Sequence, residues 1–490
     1  MSTGALPKRS RRLRPATRSG FSRVAGVMLA ALATALEMTC AAAQQSSPAA
    51  ATAPAYKLMR YDEDYSYLQD PARRSDFWDP VKYIPISASG WFISFGGEVR
   101  ERFEDYTAAN FGVPGKQGDS YLLHRALLHA DLHAGEFVRG FVQLGNQLAP
   151  GKDNAAPPYS DRLDVQQAFV DVRFPLQERL ADDPFLRIGR QEMALGAQRL
   201  ISIRDAPNVR RAFDGARLGA TVDQVRVDAF ATRPVLLRDG VFDDRPNHAQ
   251  GFWGAYATVA DSVIPHSGFD LYYLGFENDH ALFSTGTGVE RRHSIGARVF
   301  GHHGPWDWDW ETLGQFGSFS QRQIRAWGFS TDTGYTLAAY DWKPRGGVKA
   351  TMGSGDRNPH DGTLGTYDGL FPKLAYFNQA GLIGASNVID IQPSLTLHPV
   401  PALKLTLACD FIWRATTHDA VYTSVGIPIA GTAGHPGQYS SSQFSVDAAW
   451  QANRHILLNA GLVYVDVSKA LSTVGGHNTT FTYIAASYTF

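Results

Sequence analysis

Cysteine is nearly absent: Cys40 and Cys409 are the two in 490 residues. Cys40 falls in a stretch expected to be removed on export, so no intrachain disulfide is available. Beyond the N-terminal stretch no run of about 20 apolar residues occurs, which argues against helical membrane spans. Helix-period patterns are scarce, and no linker, low-complexity segment or compositional break follows residue 90. The G-x-S-x-G, P-loop and G-x-G-x-x-G patterns are missing from any usable context, and no catalytic constellation is found, so the chain is read as no enzyme. No cofactor and no metal is implied either. His129, Asp131 and His133 share a parity, but on a strand they would spread about 13 Å, too far for zinc ligands. Residues 356–362, DRNPHDG, fail the EF-hand pattern: the glycine is displaced by one, and Tyr367 stands where a bidentate Glu should be.

The N-terminal residues are rich where the rest is poor. Lys8, Arg9, Arg11, Arg12, Arg14, Arg18 and Arg23 precede an apolar run, Val24–Leu36, and then Ala41-Ala42-Ala43. This is the layout of a cleaved export signal over 1–43. Its removal takes seven basic residues and Glu37, leaving 39 basic against 46 acidic residues, a net of −7. Residues 44–56 are Ala/Gln/Ser/Pro-rich and read as loose. Tyr61–Pro85 is aromatic, charged and proline-broken; 44–90 is expected to be a periplasmic lead-in.

From Trp91 the chain alternates. In Phe95–Glu104, Glu98, Arg100, Arg102 and Glu104 share one parity and Phe95, Val99 and Phe103 the other, with Glu101 out of place. In Tyr121–His133, Arg125, His129, Asp131 and His133 oppose Leu122, Ala126, Leu128, Ala130 and Leu132. Arg139 and Gln143 oppose Val138, Val142 and Leu144; Gln167, Asp171 and Arg173 oppose Ala168, Val170 and Val172. Trp306, Trp308 and Trp310 alternate strictly with Asp307, Asp309 and Glu311. Leu403, Leu405, Leu407, Cys409, Phe411 and Trp413 oppose Lys404, Thr406, Asp410 and Arg414. Period 2 puts these sets on opposite faces of a sheet.

A soluble β-sandwich and a membrane barrel both alternate. An Arg or Lys facing lipid costs about 2–4 kcal/mol near midplane, and a soluble core tolerates arginine no better. The charged parity must therefore meet water. The aromatic-rich apolar parity, with Trp306, Trp310, Trp413 and Tyr488, fits a band facing lipid. Phe481–Phe490 alternates and ends on an aromatic, resembling the strand by which outer-membrane barrels are recognised by the barrel-assembly machinery. At roughly 22 residues per strand and connection, 91–490 gives about 18 antiparallel strands, wide enough for an aqueous channel. The fold expected is an all-β transmembrane outer-membrane barrel. Residues 354–384 hold SGDRNPHDGTLGTYDGLFPK and form its longest break, a candidate constriction or gate containing Asp356 and Arg357.

Six arginines crowd Phe185–Phe213: Arg187, Arg190, Arg199, Arg204, Arg210 and Arg211. Guanidinium forks suit carboxylates. Arg100, Arg102, Arg125, Arg139, Arg187 and Arg414 lie on the water-facing parity of their strands, with Asp131 and Asp171 among them. Arg190 shares a parity with Leu186 and Ile188, so it needs a strand end or a bulge. These residues are candidate pore lining for an anionic polysaccharide; the bland alternative is that Asp131, Asp171, Asp410 and Glu98 pair with the arginines to brace the wall.

With YDEDYSYL, DFWDPVKYIP, SFGGEVRERFE, YLLHRALLHADLH, LDVQQAFVDVRF, LRIGRQEMALGAQRL, PNVRRAFDGARL, SGDRNP and FIWR in hand, the chain resembles the alginate export family. The resemblance implies an 18-stranded barrel narrowed by arginines and lysines interleaved with acids, gated by long loops and exporting a uronic-acid polymer. Arg125, Asp171, Arg187, Arg190 and Arg414 match that pattern best; Lys82, Arg100 and Arg199 match more weakly. The partners implied are an anionic polysaccharide, outer-membrane lipid and periplasmic export or synthesis proteins, with no nucleic acid. Uptake of small anions or sugar acids by a porin is the alternative.

Overall fold

A computed structural model describes residues 54–87, 90–115, 118–174, 182–260 and 265–490. The expected export signal lies outside them. The described chain is a closed 18-strand antiparallel barrel, running from Phe92–Tyr106 round to Thr479–Thr489. Those two strands close the wall, with Glu98 opposite Thr489 and Tyr106 opposite Phe481. Each strand pairs with its neighbours in sequence, so the wall has no free edge. Strands run from nine residues (Arg345–Gly353) to eighteen (Gly286–His303), at or above the length needed to cross a bilayer at a tilt.

Alternation decides which face is which. Phe95, Val99 and Phe103 are 36–44 % exposed, while Arg100, Arg102 and Glu104 between them are 5–6 % exposed. Leu128 is 53 % exposed and Arg125 is 1 %. The apolar parity therefore faces out and the charged parity faces in, as a barrel in lipid requires. Glu101 does point outward, opposite His124, and the two bond at 2.5 Å.

Connections at one end are tight: Asp223-Gln224, Gly304-Pro305 and Pro401-Ala402 each join two strands directly. Gly304 takes φ +57 in its turn, a conformation closed to most side chains. At the other end, 193–211, 237–249, 354–387 and 415–438 are long. Short turns on the periplasmic side and long loops outside are the rule for such barrels. The break expected at 354–384 runs in the structure from 354 to 387, between Arg345–Gly353 and Val388–Val400.

The wide interior is not left to wall side chains alone. Loop 354–387 carries Tyr367, Phe371 and Phe377, all buried. The Phe371 ring centroid lies 4.8–5.4 Å from those of Phe213, Phe252 and Phe276. Loop 193–211 lies beside it: Ser202 N–H donates to Phe371 O, Phe371 N–H to Leu200 O, and Lys373 N–H to Gln198 O. The lead-in also enters the barrel. Tyr61 packs edge-on to Phe141 and Phe169, and its hydroxyl donates to Glu192 O at 2.9 Å. Met59, Tyr61, Phe141, Phe169 and Ile203 form one apolar cluster, so the lead-in and loop 193–211 meet inside the wall.

Candidate functional site: the barrel interior

The inward arginines are mostly neutralised. Arg187 and Asp171 stand directly opposite on adjacent strands and form a bidentate pair at 2.7 and 2.8 Å, with the guanidinium between the Tyr61 and Phe169 rings. Arg139 forks onto Asp131 at 2.7 and 2.5 Å. Arg102 pairs with Glu104 at 2.6 Å and lies over Tyr483. Arg199 bridges Asp309 at 2.9 Å and Glu311 at 2.7 Å. Arg190 follows Gly189, which holds φ +135, near the end of strand Asp182–Glu192; it pairs with Asp214 at 2.9 Å. Arg414 donates to the carbonyls of Thr432, His435 and Gly437 in the loop that follows its strand. Asp410 meets amides instead of an arginine, accepting from Asn378 and Gln392.

One group needs help from outside the wall. Arg100 and Arg125 stand directly opposite each other on neighbouring strands, an arrangement that repels. Loop 193–211 supplies the remedy. Asp205 accepts from Arg125 at 2.8 Å and from Arg210 at 2.7 Å, while Glu98 accepts from Arg125 at 2.7 Å and from Arg210 at 3.1 Å. Arg100 reaches Asp205 O at 3.1 Å. Three cations and two carboxylates leave one positive charge, and they fasten the loop to the wall. The Asp205 side chain keeps 45 % of its surface accessible among these buried neighbours, so open space lies beside it. Lys373 of loop 354–387 is exposed, and Asp205, Lys349 and Lys404 are the charges that act on it.

Two arginines of the crowded stretch have no such partner among the described residues. Arg204 and Arg211 line a cavity of about 510 Å³ at the loop end of the barrel, together with Glu290, Asp368 and Phe371. Arg204 Nε has no hydrogen-bond partner among the described residues, and its backbone sits at φ +53. A non-glycine residue held there is strained, and such strain gathers at functional sites. Burial pushes the Arg204 guanidinium down to about 10, with Asp368 the one charge that opposes the shift. Burial and then Arg204 itself push Arg211 well down. Arginine keeps its proton in proteins, so the cavity wall holds two guanidinium charges that no described carboxylate pairs directly, with Glu290 and Asp368 in the same lining.

Of the expected gate residues, Asp356 is buried, with its N–H donating to Asp419 at 2.8 Å, and Arg357 is exposed. Both line a separate cavity of about 200 Å³. Sequence reading named Arg204 and Arg211 only as members of a crowd, and it passed over Lys373. Loop residues have no parity, so no periodic signal marks which of them turn inward.

The alginate export family model matches residues 92–484 of this sequence. No curated protein matches it. Among solved structures, Pseudomonas aeruginosa OccK11 (OpdR) superposes with a TM-score of 0.54 at 12% identity, covering 81% of this chain and 96% of that one. Pseudomonas aeruginosa OpdK, solved with vanillate, gives 0.55 at 11%, covering 81% and 98%. Acinetobacter baumannii OccAB1 gives 0.53 at 12%, covering 81% and 96%. At such identities the likeness is one of fold, that of an outer-membrane β-barrel.

Proposed function

The chain belongs to the alginate export family, and from that premise we propose that it passes an anionic, uronic-acid polysaccharide outward across the outer membrane. The observation that carries the reading is the Arg204–Arg211 pair facing a cavity of about 510 Å³ with no ion-pair partner among the described residues. A polymer with one carboxylate per sugar supplies what that pair lacks, and exposed Lys373 of loop 354–387 offers a further weak station. Several weak stations suit passage, since one tight site would trap the passenger. The other arginines, held by wall acids, shape the interior that presents this pair. Loops 193–211 and 354–387 lie in the path, which favours a gated exporter over a standing sieve.

A porin for small sugar acids is the second reading. It draws on the same pair, and on a cavity that suits a single sugar.

Planar-bilayer recording separates the two. Arg204→Ala with Arg211→Ala should lower the anion-to-cation permeability ratio and weaken current block by short uronic-acid oligomers about tenfold or more, the value of one charge-assisted contact. Unchanged selectivity and block would end the assignment of these residues. Equal block by glucuronate and by its oligomers, per sugar, would favour the porin.

A further inference from the structure

The outer rim carries a second charged site of opposite sign. Asp164, Asp243 and Asp244 bring carboxylate oxygens within 4.8 Å of one another. Loop 237–249 is laid along strand Asp161–Arg173 to achieve this: Leu163 bridges Val241, Phe242 N–H donates to Leu163 O at 2.9 Å, and Asp244 N–H to Asp164 Oδ2 at 2.9 Å. The strand itself is bulged. Gly145 faces Asp164 while Gln147 faces Asp161, so one wall residue fewer stands opposite. The extra residue turns both Asp161 and Asp164 inward; each is at most 4 % exposed. Bulges that re-aim side chains are retained features of a fold.

Asp161 is the independent sign of a missing partner. It is 2 % exposed, and its Oδ1 has no hydrogen-bond partner among the described residues. Its strongest charge neighbours are Asp244, Asp164, Asp243 and Asp239, all acids. Gln147, directly opposite, is also buried, and both its amide atoms lack partners. Against four carboxylates the nearest guanidinium is Arg190, 3.6 Å from Asp164 and already committed to Asp214 at 2.9 Å. Asp161 and Asp164 are buried and Asp243 and Asp244 half-buried, and gathering that much like charge without a counterion is costly.

We propose that Asp161, Asp164, Asp243 and Asp244 bind one Ca²⁺ and so pin loop 237–249 to the barrel rim. The donors are all hard oxygens, with no His or Cys, which excludes the softer transition metals. The oxygens of Asp164, Asp243 and Asp244, none more than 4.8 Å from another, fit within a Ca–O shell of about 2.3–2.6 Å radius, and Mg²⁺, with bonds of about 2.0–2.1 Å, resists all-protein cages. The site lies at the long-loop end, the end that such barrels turn to the cell exterior, where sites with Kd of about 0.1–1 mM are useful. None of its four acids lines the Arg204–Arg211 cavity, although Leu237 and Asn247 of the same loop do, and the proposal stands whatever the passenger is.

The test uses the full barrel refolded in detergent free of lipopolysaccharide and stripped with EDTA. Equilibrium dialysis against ⁴⁵CaCl₂ should give one Ca²⁺ per chain. CaCl₂ should also slow tryptic cleavage after Arg238 at least fivefold, and MgCl₂ at equal concentration should do much less. Asp243→Asn with Asp244→Asn should abolish both effects while keeping the heat-modifiable gel mobility of a folded barrel. Should that variant fail to fold, Asp161→Asn and the wild-type stoichiometry decide. No bound Ca²⁺ at 10 mM, or equal binding and protection in folded variants, would overturn the proposal.

Discussion

At the scale of single residues, the interior works by pairing. Arg187 and Asp171 have 4 % and 3 % of their side chains exposed and are linked through two hydrogen bonds. Arg187→Ala would leave Asp171 buried without its partner, so the barrel should lose about 3–5 kcal/mol. Urea unfolding in bilayers measures it. Replacing both residues by apolar ones, Arg187→Met with Asp171→Leu, should restore most of the loss. A single substitution that costs nothing would show that water already screens the pair. Inwardness of these arginines was legible in the sequence, because period 2 fixes a face. Pairing was not. It depends on register, which sets Asp171 opposite Arg187 and sets Arg100 awkwardly opposite Arg125.

At the scale of elements, strands could be read and infolded segments could not. Strand Trp306–Phe319 announces itself through three tryptophans alternating with three acids. Loop 354–387 gives no comparable sign that Phe371 will sit among Phe213, Phe252 and Phe276; only its length hinted at a role. The lead-in is similar. Its short helix Asp79–Lys82 puts Lys82 at 1 % exposure, over the rings of Tyr56, Tyr65 and Phe490, with Nζ unpartnered among the described residues. Burial, and then the charge of Arg60, push the Lys82 ammonium down to about 7, against opposing pulls from Glu63 and Asp76. Between pH 7 and the usual lysine range of about 10.4, the released lead-in therefore binds a proton that the docked one does not. Docking should strengthen as pH rises through that window and be weakest below about 7. Hydrogen exchange over residues 79–85, corrected for intrinsic rate, should slow from pH 7 to 9, and Lys82→Met should flatten the trend. A trend that survives in Lys82→Met would point to another group.

At the scale of the whole molecule, the barrel is a protein turned inside out, with leucine and tryptophan outside and arginine within. Leu128 is 53 % exposed midway along its strand. Leu128→Arg, harmless on a soluble surface, should cost about 2–4 kcal/mol here, measured by reversible unfolding from bilayers. A neutral result would mean that this face does not meet hydrocarbon.

The five-residue cluster of Met59, Tyr61, Phe141, Phe169 and Ile203 joins a segment arriving from one side of the membrane to a loop arriving from the other. Ile203 cannot swing away without uncovering Met59 and Tyr61, and neither of those can withdraw without unseating Ile203. Loosening either segment therefore bares apolar surface on the other, so the two are fastened inside the wall together.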